Sequence, residues 1–234
     1  MKILAAIVTH NRCELLERCI NHLQKQTRLP DSILVVNNGS TDATVDMLMR
    51  RNIRYITQEN LGSAGGWNRC ISHALEHHFD AVWLMDDDGF PSPSALERLE
   101  SNLDTGTACV SSVVLRENDR KRLVFPFPVL DDKQLPVIFS VRRKLKTIDD
   151  VFSVCPGGLY PFANFFNGTL ISTDAIKKVG NVEKNFYIAG DEVDYFYRLR
   201  SVGKVLTDMK AHHYHPNVNE RTWSDLKIYY YTKN

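Results

Sequence analysis

The first hundred residues alternate between short aliphatic runs and amphipathic segments, and this alternation restricts the fold more than any other feature. Ile3 to Val8 is an unbroken apolar run of strand length. A helical pattern follows from about Cys13 to Gln26, with Leu15, Leu16, Cys19, Ile20 and Leu23 at helical spacing. Ser32 to Val36, Ile53 to Ile56 and Ala81 to Met85 predict three further strands. Between them lie a helix carrying Val45, Leu48 and Met49, capped by Thr41 or Asp42, and a helix over Ala64 to His77 entered through glycines. Four rounds of strand and helix imply an α/β protein, a mostly parallel sheet flanked by helices. Ligands of such sheets bind beyond the carboxyl ends of the strands. THNR (9–12), NNGSTD (37–42) and DDDG (86–89) sit at those ends and are expected to converge.

The last of these stretches poses an electrostatic problem. Asp86, Asp87 and Asp88 repel one another, and no basic residue lies within several positions of them in sequence. On an extended chain Asp86 and Asp88 share a face and Asp87 opposes them. Two carboxylates on one face suit a hard divalent cation, Mg²⁺ or Mn²⁺, that completes its shell with phosphate oxygens and water. A merely acidic, solvated turn is the competing reading. Two later segments bear on it. Asp191, Glu192 and Asp194 begin a predicted helix, where the macrodipole favours negative charge, and one of them is also placed to act as a general base. In AHHYHP, His213 and His215 share a strand face, so either can reach a metal.

Bulk properties narrow the partners. The 234 residues are 43% hydrophobic and 24% charged, with 29 basic against 28 acidic side chains, so no global field favours nucleic acid. The five cysteines show no metal-type spacing and read as free thiols of a reducing compartment. No apolar run approaches the roughly 18 residues of a membrane span, and the short N-terminal apolar stretch lacks a cleavage pattern. A cytoplasmic protein is expected, and Asn38-Gly-Ser40 and Asn167-Gly-Thr169 are read as turns rather than glycosylation sites. Val113 to Val154, with its prolines and the basic runs 116–122 and 142–146, reads as a solvated excursion. Regular structure resumes with NFFNGTLIS (164–172), helices near Thr173 to Val179 and Asp191 to Val202, and a strand over Val205 to Tyr214.

In order along the chain, VTHNR, VVNNGSTDAT, QENLGSAGGWNRC, WLMDDDG, GDEVDYFYRLRSVG, AHHYHP and KIYYYTKN resemble the motifs of the family 2 glycosyltransferases, which have the GT-A fold. The similarity is to the bacterial rhamnosyl- and galactofuranosyltransferase-like branch. It implies one domain over 1–234, with a nucleotide-sugar-binding half (1–112) and an acceptor-binding, catalytic half (113–234). It also implies inverting transfer from a UDP- or dTDP-sugar, such as galactofuranose or rhamnose, to a glycan or lipid-linked acceptor of cell-surface polysaccharide synthesis. By the same resemblance Asp86 and Asp88 hold Mn²⁺ or Mg²⁺ with His215 and secondarily His213, and Glu192, ahead of Asp191, is the base. Thr9, Asn11, Arg12, Asn37, Asn38, Asp42, Gly65, Gly66, Asn68 and Asp87 are assigned to donor binding. Trp67, Phe165, Phe166 and Asn167 are candidates for the acceptor, because aromatic faces beside amides suit sugar rings.

Three positions depart from the family pattern: Asn37 replaces the usual Asp, the base pair is reversed to Asp191-Glu192, and Lys233 stands where Arg is commoner. Relatives usually continue past this point, so a truncated chain is expected. The run 142–146 is assigned weak peripheral contact with an anionic bilayer or a lipid diphosphate. A sugar nucleotidyltransferase or a non-catalytic nucleotide- or glycan-binding module are the rival readings. The first would be expected to open on a glycine-rich phosphate loop, whereas this chain opens on VTHNR.

Overall fold

The uniformly apolar runs form strands covered on both faces. In the computed structural model, which describes residues 1–137 and 144–216, strands β1 (Ile3–Thr9), β2 (Ser32–Asn37), β3 (Arg54–Thr57) and β4 (Ala81–Asp86) pair in parallel. Every residue of β1 is buried, as expected of a strand between two helical layers. Helices α1 (Cys13–Leu23), α2 (Thr44–Arg50) and α4 (Ala95–Asn102) cover one face, where Leu16, Ile20, Leu23, Met47, Trp83 and Leu99 share one core. Helix α3 (Gly62–Glu76) covers the other with Trp67, Cys70, Ile71 and Ala74, joined there by α6 (Thr173–Val179) and α7 (Asp191–Arg200).

Beyond β4 the sheet continues through β10 (Asn167–Ser172), β6 (Thr107–Arg116) and β11 (Lys204–His215) to β5 (Phe90–Pro91), in the order β3-β2-β1-β4-β10-β6-β11-β5. β10 runs antiparallel to both β4 and β6, and β11 runs parallel to β6. These directions position the site. The start of β10 and the ends of β4 and β11 all lie at one edge, so Asn167 pairs with Met85 and His215 comes to the level of the acidic turn. Asn167-Gly168-Thr169 is therefore not the turn expected from sequence: it opens β10, and Gly168, at φ 81°, marks a register shift there. The 112/113 division falls inside β6, so the two halves of the chain share one sheet.

The middle segment also departs from expectation. Its described residues are not a solvated excursion: β6 turns into β7 (Asp119–Pro128), β8 (Lys144–Thr147) pairs with β7, and α5 (Ile148–Val154) follows behind a capping box between Thr147 and Asp150. Val113, Leu115, Leu123, Phe127, Leu145, Val151, Tyr160 and Met209 form a third core there, and β9 (Leu159–Tyr160) joins it to β11. The pattern is obscured in sequence because the first four residues of β7 are exposed and charged. Pro126 and Pro128 lie in a strand off the main sheet path, where a missing N–H is tolerated. Arg142, Arg143, Lys233 and the KIYYYTKN segment lie outside the described residues. Among those described, no helix is long and apolar enough to cross a membrane.

Close packing of α3 on β1 produces a direct test. A Cβ at Gly66 would lie 2.5 Å from Val8 Cγ1 and 2.9 Å from Cγ2. Gly66→Ala is expected to destabilise the fold by about 1–3 kcal/mol through overpacking. The midpoint should fall ~2–4 °C per kcal/mol in a thermal melt of a chain this long, and an unchanged melt would contradict this account of the glycine.

Candidate active site

The three polar strand ends converge, and hydrogen bonds between them fix the loops. Thr9 Oγ1 donates to Asp87 Oδ2 at 2.7 Å, and the Thr41 N–H donates to Asn11 Oδ1 at 2.7 Å. Asp42 accepts from the N–H groups of Cys13 and Thr44, both at 3.1 Å, and so ties the start of α1 to the start of α2. Asn37 is fully buried; its Oδ1 accepts from the Ser40 N–H at 2.9 Å and its amide reaches Thr57 Oγ1. Asn38 donates to the Gly62 carbonyl at 2.9 Å and accepts from Gln58 at 2.7 Å. Their side chains hold the loop together from within the protein.

Helix α3 is positioned by three more of these residues. Gly65 and Gly66 lie inside α3 and not in a turn; they let the helix approach Leu61 and Val8. Asn68 donates to the Val182 carbonyl at 2.6 Å and anchors α3 to the segment before α7.

The acidic turn is compensated from distant parts of the chain. Arg12 Nη1 donates to Asp87 Oδ1 at 3.1 Å and to Asp88 Oδ2 at 2.8 Å. His215 Nε2 lies 3.1 Å from Asp88 Oδ1, while its Nδ1 meets the Pro216 carbonyl at 2.7 Å, a contact that fixes the ring's orientation. The three carboxyls consequently differ. Burial, reinforced by Asp88 and Asp87, pushes Asp86 well up. Burial also raises Asp87, against the opposing pull of Arg12 and Thr9. Burial acts to raise Asp88 too, but His215 and Arg12 outweigh it and hold that carboxyl below its ordinary range. Burial acts to lower His215, and Asp88 outweighs it in the raising direction. The opposite shifts of Asp88 and His215 both follow from their close approach.

His213 is placed differently. Its ring is fully buried, with Gly89 and Gly168 against it, and burial lowers its pKa to about 3, so it stays neutral. Neither ring nitrogen has a hydrogen-bond partner. Side chains at Gly89 and Gly168 would strike the ring, which accounts for glycine at both positions.

A cavity of about 850 Å³ opens over this edge of the sheet. Arg12, Asp86, Asp88 and His215 line its polar end; Trp67, Phe165, Phe166 and Asn167 form a wall; Glu192 reaches it from α7. Trp67 and Phe166 stack with ring centroids 4.8 Å apart. Asp87, His213, Asp191, Thr9 and Asn11 do not line it. Glu192 is exposed, whereas Asp191 is buried with Oδ1 unpartnered, and burial together with the charge of Glu192 raises it to about 7. Sequence reasoning missed Phe125, Pro126 and Ser63, which also line the cavity, because nothing distinguishes them from ordinary strand and helix residues.

The resemblance implies a divalent cation, and the donor set can be tested against one. Asp88 Oδ1 is buried and accepts no aligned hydrogen bond, so it retains a lone pair for a hard ion. Among the described residues no three His, Cys, Asp or Glu side chains are grouped so as to hold a metal ion by themselves. Mg²⁺ and Mn²⁺ commonly take one or two protein carboxylates and fill the shell with phosphate oxygens and water. Asp88, with Asp86 and His215 on the same cavity, fits that partial site.

Comparison with known proteins is consistent with this geometry. The family described as "Glycosyl transferase family 2" matches residues 5–163. Galactofuranosyltransferase GlfT1 of Mycolicibacterium smegmatis is 33% identical over 221 residues, 92% of this chain and 70% of that protein. GlfT1 of Mycobacterium tuberculosis (strain H37Rv) is 31% identical over 228 residues, with the same coverages. Among solved structures, Staphylococcus aureus TarS 1–349 in complex with UDP superposes with a TM-score of 0.66 at 16% identity, covering 92% of this chain and 60% of that one. Mannosyltransferase PcManGT from Pyrobaculum calidifontis, in complex with GDP-Man and Mn²⁺, gives 0.64 at 16%, covering 95% and 58%. At such identities the superpositions establish the fold, a GT-A type α/β domain. By the extent of the family match and the identity to its relatives, the chain belongs to glycosyl transferase family 2 and is a glycosyltransferase.

Proposed function

We propose that the chain catalyses metal-dependent, inverting transfer of a sugar from a nucleotide diphosphate donor to a glycan or lipid-linked saccharide in cell-surface polysaccharide synthesis. Galactofuranose carried by UDP is the first donor to test, because two relatives at 31–33% identity are named for that transfer; a dTDP-rhamnose donor is the comparison. One observation carries the reading. A cavity large enough for a donor and an acceptor is lined at one end by the Asp88–His215 pair and along α7 by the carboxylate of Glu192. The setting is cytoplasmic, consistent with five cysteines that are all free.

The residues divide the work by position. The Glu192 carboxylate takes the proton of an acceptor hydroxyl as that oxygen bonds to the anomeric carbon. The bond from that carbon to the diphosphate oxygen breaks on the opposite face, so the configuration inverts. Asp88, with Asp86 and His215, would hold Mn²⁺ or Mg²⁺, which supplies Lewis-acid neutralisation of the leaving diphosphate. Arg12 lines the same end of the cavity and adds a fixed positive charge there. Trp67, Phe165, Phe166 and Asn167 offer aromatic faces and an amide to the acceptor sugar. Asp87, buried against Thr9 and Arg12, sets the arginine for the donor rather than touching the ion. Lys144, the part of the run 142–146 that lines the cavity, is suited to an anionic acceptor group.

Three outcomes test this reading. Turnover of UDP-galactofuranose in the presence of Mn²⁺, with dTDP-rhamnose in parallel, should fall by ~10²–10⁴-fold in Glu192→Gln, the scale of a lost general base. UDP binding by calorimetry should persist in that variant; full activity would remove Glu192 from the mechanism. Asp88→Ala should abolish the Mn²⁺-dependent part of UDP binding, and its retention would overturn the metal assignment.

The third outcome concerns Asp191. Its carboxyl titrates near the ordinary 3.8 when unfolded and at about 7 when folded. Between those values the folded state keeps a proton that the unfolded state has released, so this contribution to stability is complete below about pH 4 and is lost as pH rises through about 7. Urea unfolding should show Asp191→Asn losing less stability than the parent between those limits. Identical pH profiles would contradict the shift.

A further inference from the structure

We propose that Arg18 on α1 is a positioning residue for the metal and diphosphate end of the site, acting with Glu117. The inference deepens the function proposed above and rests on it. Arg18 does not line the cavity, and its place one turn into α1 gives it no motif. Its guanidinium nevertheless joins the two segments that carry Asp88 and His215. Nη2 donates to the Asp88 main-chain carbonyl at 2.8 Å. Nη1 donates to both carboxylate oxygens of Glu117, at 3.0 and 3.2 Å. The Glu117 N–H in turn donates to the His215 main-chain carbonyl at 3.0 Å. The group is completed by Phe90, which follows the acidic turn and lies 4.7 Å beneath the guanidinium.

This linkage runs behind the 3.1 Å contact between the Asp88 and His215 side chains. Each residue is therefore held twice, by its side chain at the cavity and by its carbonyl on the α1 side. The double hold matters because His215 ends β11 and Asp88 lies in a turn, so neither has a continuing strand to fix it. An exposed Arg–Glu pair alone would contribute little. Here one planar fork spans a carbonyl, a carboxylate and a ring, a geometry that lysine cannot reproduce from a single ammonium. Partners one step removed from a metal commonly tune affinity by about tenfold to a hundredfold.

The test uses the whole chain and reads Mn²⁺ binding in the presence of UDP by electron paramagnetic resonance, without turnover. Arg18→Met is expected to weaken Mn²⁺ binding by about tenfold to a hundredfold, and Arg18→Lys by an intermediate factor. Glu117→Gln should show a smaller loss that is not additive with Arg18→Met. Arg28→Met is the control, because Arg28 follows α1 and pairs with Glu100 and Asp31 instead; it should alter the melt without altering Mn²⁺ affinity. Unchanged Mn²⁺ affinity in folded Arg18→Met, or in Arg18→Lys should the first variant fail to fold, overturns the proposal. A parent chain that does not bind Mn²⁺ with UDP overturns instead the metal-dependent function on which it rests.

Discussion

The mutual repulsion of three carboxylates at the end of β4 is the constraint to which the rest of the site answers. Two charges about 4 Å apart interact by ~1 kcal/mol in water but by ~4 kcal/mol in the partly desolvated edge of a protein, so the cluster cannot stand uncompensated. Arg12, immediately before α1, and His215, at the end of β11, provide the compensation. The outcome is asymmetric. Asp88 is held ionised by its two partners, Asp86 is pushed up by burial and its neighbours, and Asp87 is turned inward to Thr9 and Arg12. A chemically differentiated set arises from three identical residues because their burial and partners differ: His215 and Arg12 for Asp88, Thr9 and Arg12 for Asp87, and burial beside its neighbours for Asp86.

Sheet topology explains why those strands meet. β10 is inserted antiparallel between β4 and β6, which brings the start of β10 to the end of β4 and leaves β11 running in the direction of β4. One reversed strand thereby delivers the aromatic pair Phe165-Phe166 and Asn167 to the same cavity as His215 and the acidic turn. Helix α7 approaches from the other layer and adds Glu192. Its neighbour Asp191 faces the interior, and the division between one exposed and one buried carboxyl comes from successive positions at a helix start.

The glycine- and asparagine-rich motifs shape this edge of the sheet. Asn37, Asn38 and Asp42 close a loop with their own side chains, Gly66 lets α3 lie against Val8, and Asn68 anchors α3 to the 182 region. These residue types in a ligand-binding pattern read as ligand contacts in a sequence. Side-chain amides also bond within the protein, here to the Ser40 N–H, to the Gly62 and Val182 carbonyls, and to the side chains of Thr57 and Gln58.

The sequence by itself determined the alternating α/β plan, the placement of THNR, NNGSTD and DDDG at one edge of the sheet, and the opposition of Asp87 to Asp86 and Asp88. Each of these follows from periodicity, which is local. Tertiary structure alone decided which cation answers which carboxylate, that Glu192 and not Asp191 reaches the cavity, and that His213 is sealed between two glycines while His215 pairs with Asp88. It also decided that residues 113–137 and 144–154 build a third core instead of a solvated loop. Those outcomes depend on contacts between residues far apart in sequence, Arg12 with Asp88 and Arg18 with Glu117 among them, and on the direction of β10. No local pattern encodes either: pairing partners and strand direction are set by the packing of the whole sheet.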